Sequence, residues 1–152
     1  TFSDGLDSDF SNGTISNSVF KNTGNDCIDL SGSNVEIKHC EIENSGDKGI
    51  SGGENSTVKV ENTKVNKAKI AVASKDLSTV IVASITFQNV DYGFVAFQKK
   101  PEFGPAKIIV KNTKTELIDN NLMGVGSLLI KHGKVTTDTI KGVVPIDIES
   151  LY

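Results

Sequence analysis

The sequence predicts an all-β protein built as a solenoid, with about six short coils of parallel strands stacked along one axis. Three observations carry that expectation. Apolar residues recur every 22 positions at Leu6, Ile28, Ile50, Val72 and Phe94, and self-similarity at a period of roughly 20 to 50 residues marks a repeat architecture. Two more columns run beside the first: Ile15, Ile37, Val60, Val82 and Val110, then Phe20, Ile42, Val65, Phe87 and Thr115. Within each piece the pattern alternates, as in Val35, Ile37, Cys40 and Ile42 against Glu36, Lys38, Glu41 and Glu43. A period of two signals a strand with one buried face.

Each repeat supplies three strand pieces. The steps from Leu6 to Ile15, Phe20 and Ile28 are 9, 5 and 8 residues. None of these connectors holds a crossover helix, which needs about a dozen residues or more. Successive coils then pair in parallel, about 4.8 Å apart. The strings TGNDCIDLSGSN (residues 23–34) and SGDKGISGGENS (residues 45–56) are matching turns, with Gly and an acid before the strand and a Gly-rich turn after it. The fifth repeat stretches its second interval to 16 residues, Phe94 to Val110, and Pro101, Gly104 and Pro105 mark a protruding loop there. A sixth repeat begins near Leu122 and loses register afterwards. From Lys131 the coil pattern stops. Residues 1–130 are therefore expected to form the coils and residues 131–152 a C-terminal cap, with Val143, Val144, Ile146, Ile148 and Leu151 as its apolar part, because an open solenoid end needs a covering element.

At 152 residues the chain is one domain by size. Hydrophobic residues make up 37 % and the mean hydropathy is −0.15, enough for a narrow core. The net charge of −3 disfavours nucleic acid as a partner, since that partner calls for a basic face. All 16 basic residues are lysines, so the side chain suited to bidentate binding of carboxylate or phosphate is missing. No run of 18 apolar residues is present, and no membrane span is expected. The chain opens at Thr1 without methionine, and Leu6 is already in register. The expectation is a piece of a longer polypeptide whose N-terminal part supplies the missing cap. Cys27 and Cys40 fall in one repeat and read as reduced, buried thiols packing as small hydrophobes.

On the 22-residue coil, the Asn/Asp/Gly turns and the strings from Gly24 to Asp29 and from Gly46 to Ser51, the chain resembles the right-handed parallel β-helix, or pectin-lyase-like, superfamily over roughly Ser3 to Ile130. It is most similar to generic β-helix modules of secreted bacterial proteins. The resemblance implies a secreted or cell-surface location and a polysaccharide as partner. It also implies the possible chemistries of lyases, polygalacturonases and epimerases. Those enzymes carry a Gly-His-Gly segment where this chain has Gly46-Asp47-Lys48-Gly49, and an Arg-Ile-Lys segment that has no counterpart here. The expectation therefore leans away from an enzyme, with no catalytic residue assigned.

The strongest constellation is acidic. Asp4 and Asp26 are 22 residues apart, as are Asp7 and Asp29, so stacking brings each pair within about 5 Å on an outward face. Clustered carboxylates raise a pKa or demand a cation, and Ca²⁺ favours such oxygen ligands. A solvated acidic edge is the plain alternative. Asn25 beside this cluster, and Lys99, Lys100 and Phe103 in the long loop, are candidate glycan contacts. His39 and His132 read as surface turn residues.

Two outward columns turn apolar along the solenoid: Asp7, Asp29, Ser51, Ala73, Val95, Met123, and Thr14, Glu36, Lys59, Ile81, Ile109. An exposed apolar face marks an interface. Its cover is either the C-terminal tail, about Val135 to Leu151, or a second copy in a homodimer. Three functional classes stay open: a carbohydrate-binding module, the C-terminal part of a polysaccharide-active enzyme completed by an additional N-terminal domain, and an oligomerisation or spacer module.

Overall fold

The computed structural model describes residues 2–111 and 120–136. The first coil comprises β1 (Leu6–Asp9), β2 (Asn12–Ser16) and β3 (Val19–Thr23). The second repeats it as β4 (Ile28–Ser31), β5 (Asn34–Lys38) and β6 (Glu41–Ser45). The third has β7 (Lys48–Gly53) and β8 (Thr57–Glu61), and its last strand runs straight into the fourth coil as β9 (Thr63–Lys75). The same fusion follows β10 (Thr79–Val82) in β11 (Ile85–Phe97). Then come β12 (Lys107–Val110), β13 (Leu122–Met123), β14 (Leu128–Lys131) and β15 (Lys134–Thr136). No helix occurs among the described residues.

The strands stack in chain order into two long sheets. One runs β1-β4-β7-β9-β11-β13, with β3 and β6 joined to it. The other runs β2-β5-β8-β10-β12-β14-β15. Every pairing is parallel except β14 with β15. Each sheet has six parallel rungs, and the predicted columns are the register itself. Leu6 faces Ile28, which faces Ile50, then Val72, then Phe94. Ile15, Ile37, Val60, Val82 and Val110 form the second column. Phe20, Ile42, Val65 and Phe87 form the third, while Thr115 lies outside the described residues. Ile28, Ile37, Ile50, Val72 and Val82 are completely buried. Phe87 and Phe94 meet edge to face, with ring centroids 5.2 Å apart.

The sixth rung departs from expectation by one residue. Leu122 pairs with Val95, and Met123 with Ala96, so Leu122 takes the outward column in which Met123 was expected. Met123 instead joins the inner core. Two adjacent apolar residues fit either phase of a two-residue alternation, so the pattern alone could not choose between them. After β14 the chain reverses through His132 and Gly133, both with positive φ (48° and 76°). Two consecutive left-handed residues make the kind of tight turn that joins antiparallel strands. β15 therefore occupies the free edge of β14. The rest of the expected cap, including its apolar run, lies outside the described residues.

The coil corners are left-handed. Asn22, Asn44, Lys67 and Asn89 share one corner, with φ of 56°, 59°, 62° and 52°. Asn44 donates its side-chain amide to Asn22 at 2.8 Å. Asn89 bypasses Lys67 and reaches Asn66 at 2.9 Å. Asparagine tolerates this conformation better than lysine, so Lys67→Asn is expected to stabilise the chain by about 0.5–1 kcal/mol. Urea unfolding measures it, and a lowered midpoint would contradict the corner argument. His39 sits at an equivalent corner, exposed, with φ of 52° between Asn17 and Asn62 at 50° and 45°. It is a turn residue, as expected.

Candidate functional site

The outer face of the first sheet carries three columns of side chains. Asp4, Asp26, Lys48, Ile70 and Tyr92 form one. Asp7, Asp29, Ser51, Ala73, Val95 and Leu122 form the second. In the third, Asp9 pairs with Ser31, Ser31 with Gly53, and Lys75 with Phe97. Along the axis this face passes from acidic, through two lysines, to apolar.

At the acidic end the four predicted carboxylates separate into two roles. Asp4, Asp7 and Asp29 each offer an oxygen within 4.8 Å of the other two. Asp4 Oδ1 also accepts the Asn25 side-chain amide at 2.7 Å and the Asp26 backbone N–H at 3.0 Å. Asp7 is exposed, and its pKa is raised by what desolvation it has and by the charges of Asp9, Asp29 and Asp4. Asp26 is turned away from this trio. Its Oδ1 accepts the Lys48 backbone N–H at 3.0 Å and lies 3.5 Å from the Lys48 ammonium. Asp26 is 2 % exposed and Lys48 6 %. Burial pushes the Asp26 carboxyl up to about 6, against the pull of Lys48. Burial opposes the Lys48 ammonium too, but Asp26 and Asp47 together outweigh it and raise its pKa. Asp47, which also pairs with Lys48 and is only partly buried, is the standing counter-ion.

Sequence reasoning missed the two lysines and one serine. Lys48 follows Asp26 by 22 residues, and that spacing was the available signal. Lys75 lies 3.5 Å from Asp29 Oδ1 across two coils. Ser51, stacked on Asp29 in the outward column, is wholly buried, and its hydroxyl has no hydrogen-bond partner in the structure. Asp29 Oδ1 likewise accepts no hydrogen bond.

The predicted glycan contacts are dispersed. Asn25 is exposed beside Asp4. The long loop is folded down rather than extended. Asp76 Oδ1 accepts the backbone N–H groups of Lys99 and Lys100 at 2.6 and 2.7 Å. Lys100 pairs with Glu54, and the Gln98 amide closes on the Phe103 carbonyl at 2.7 Å. Lys99 is left exposed and Phe103 half-buried. Cys27 and Cys40 are free and buried. Burial raises the Cys27 pKa, and its sulfur sits 3.1 Å from the Thr23 hydroxyl, so it is a packing thiol.

At the far end the outward residues Ile70, Ala73, Val95, Phe97 and Leu122 form a second buried apolar cluster, with Tyr92 packed against it. On the second sheet Ile81 and Ile109 pair with each other and stay partly exposed. The tail expected over these faces lies, beyond β15, outside the described residues.

Two long parallel sheets wound by one chain, with a charged outer face, define a β-helix module. Residues 3–138 match the family described as a right-handed β-helix region, and the chain belongs to that family. Among curated proteins and among solved structures, nothing matches it.

Proposed function

We propose that this β-helix is a non-catalytic carbohydrate-binding module of a secreted or surface protein, which holds an acidic polysaccharide through a calcium ion on the outer face of its first sheet. The observation that carries this reading is the trio Asp4, Asp7 and Asp29, with oxygens within 4.8 Å of one another and the buried, unpartnered Ser51 hydroxyl next in the same column. A hard cation takes carboxylate and hydroxyl oxygens, together with water and ligand oxygens. A uronate oxygen then enters the cation's shell as a further ligand. Asn25, exposed beside Asp4, supplies a hydrogen-bonding edge, and a solenoid face offers a chain of sugars repeated contacts.

The test is binding of polygalacturonate and alginate to the 152-residue chain, with 2 mM Ca²⁺ or with EDTA. Calcium-dependent binding without product release is the expected result, and Asp7→Asn with Asp29→Asn should abolish it. Turnover of either polymer would replace this reading with that of a polysaccharide-active enzyme. Binding to neither would favour a spacer or an oligomerisation module, the latter if the chain sediments as a dimer through Ile81 and Ile109.

A further inference from the structure

We infer that Lys75 sets the cation selectivity of the Asp4, Asp7 and Asp29 site, its ammonium filling the cation's place until a divalent ion displaces it. The inference rests on the calcium reading above and adds a built-in competitor to it. Lys75 ends β9, and its ammonium lies 3.5 Å from Asp29 Oδ1, two coils back along the stack. The pairs Lys21–Glu43, Lys59–Glu36 and Lys64–Glu41 each join neighbouring coils, whereas Lys75 passes over one. What it passes over is Gly53. A Cβ at that position would sit 3.3 Å from Lys75 Cε, tighter than an ordinary carbon contact. The bare glycine leaves the track along which the lysine stem lies, and the side chain is only 13 % exposed there.

The ammonium is near enough to neutralise the site and too loosely held to lock it. Asp29 Oδ1 accepts no hydrogen bond, and among the described residues Asp29 is the single carboxylate within 4 Å of Lys75 Nζ. Lys48, by contrast, is held by Asp26 and Asp47 together. The field of Lys75 still reaches across the trio. Desolvation and the charges of Asp9, Asp29 and Asp4 raise the Asp7 pKa, and Lys75 lowers it. The buried Ser51 hydroxyl beside Asp29 is an oxygen that the ammonium leaves unengaged and that suits a hard metal ion. Charge then decides which ions enter. Exchanging the ammonium for Na⁺ or K⁺ swaps one unit charge for another, and the incoming ion still loses water. Ca²⁺ brings twice the charge to the same oxygens, and the flexible lysine stem lets the ammonium swing out to solvent.

The experiment titrates Ca²⁺ calorimetrically into the 152-residue chain and into its neutral variants Lys75→Met and Lys75→Gln. Each titration is run at one ionic strength, set with NaCl or with tetramethylammonium chloride, whose cation is too bulky to sit among the carboxylates. In tetramethylammonium both variants should bind Ca²⁺ about tenfold more tightly than the parent, or more. Sodium should weaken Ca²⁺ binding severalfold in the variants and by less than about twofold in the parent. Ca²⁺ binding by the variants alone would be the same result in its extreme form. Equal or weaker Ca²⁺ affinity in the variants, or one sodium response shared by all three chains, would overturn the inference and leave the calcium site standing. A severalfold loss to sodium in the parent would overturn it without recourse to either variant. No Ca²⁺ binding by any of the three chains would end the calcium reading and this inference with it.

Discussion

Replacing Lys48 by alanine is expected to lower stability by about 3–5 kcal/mol at pH 7.5, because it strips the counter-ion from a buried carboxylate. The loss should then shrink on acidification. Asp26 titrates near 6 in the folded protein, above its ordinary value of 3.8, so the folded state binds its proton more tightly than the unfolded chain does. The stability this proton contributes is fully present below about 3.8 and is lost as pH rises through about 6. In the parent chain Asp26 therefore makes stability rise as pH falls from about 6 towards 4, and Asp26→Asn should flatten that slope. In Lys48→Ala the Asp26 carboxyl takes up its proton at still higher pH, so part of the deficit should be recovered by pH 5. The Lys48→Ala, Asp26→Asn double variant should recover part of it at pH 7.5. Urea titrations across this range measure all four chains. A deficit that is independent of pH and unrelieved in the double variant would show that Lys48 acts through packing of its stem alone.

The second large effect lies in the core column. Ile50→Ala should cost about 2–5 kcal/mol, since Ile50 is completely buried between Ile28 and Val72. Leu6→Ala occupies the same column at the open end, where the side chain is only partly buried, and should cost less than about half as much. Equal losses at the two positions would contradict a stack whose burial grows inward from its first coil.

Most of the fold was legible in the residues because in a solenoid the spacing along the chain and the stacking in space are the same quantity. Leu6, Ile28 and Ile50 could only share a column if each coil closed in 22 residues, and they do. Legibility failed at Leu122, where an adjacent methionine allowed either phase. The site was legible in part. The acidic pairs fell where the spacing put them, but the spacing could not show that Asp26 would turn to the Lys48 backbone and ammonium while Asp4, Asp7 and Asp29 converged. The burial of Lys48 and the reach of Lys75 to Asp29 were not legible, since burial of an outward face depends on neighbours distant in the chain. Lys100 was expected as a glycan contact, yet it closes on Glu54, 46 residues earlier.

The central claim, a cation held by Asp4, Asp7 and Asp29, is tested most directly by calorimetric titration of Ca²⁺ into the metal-free 152-residue chain. The predicted result is one saturable site, a higher melting temperature in the presence of millimolar Ca²⁺ as binding to the folded state alone requires, and loss of both in the Asp7→Asn, Asp29→Asn variant. No heat of binding and no shift in melting in the parent chain, or an equal response in that variant, would contradict it.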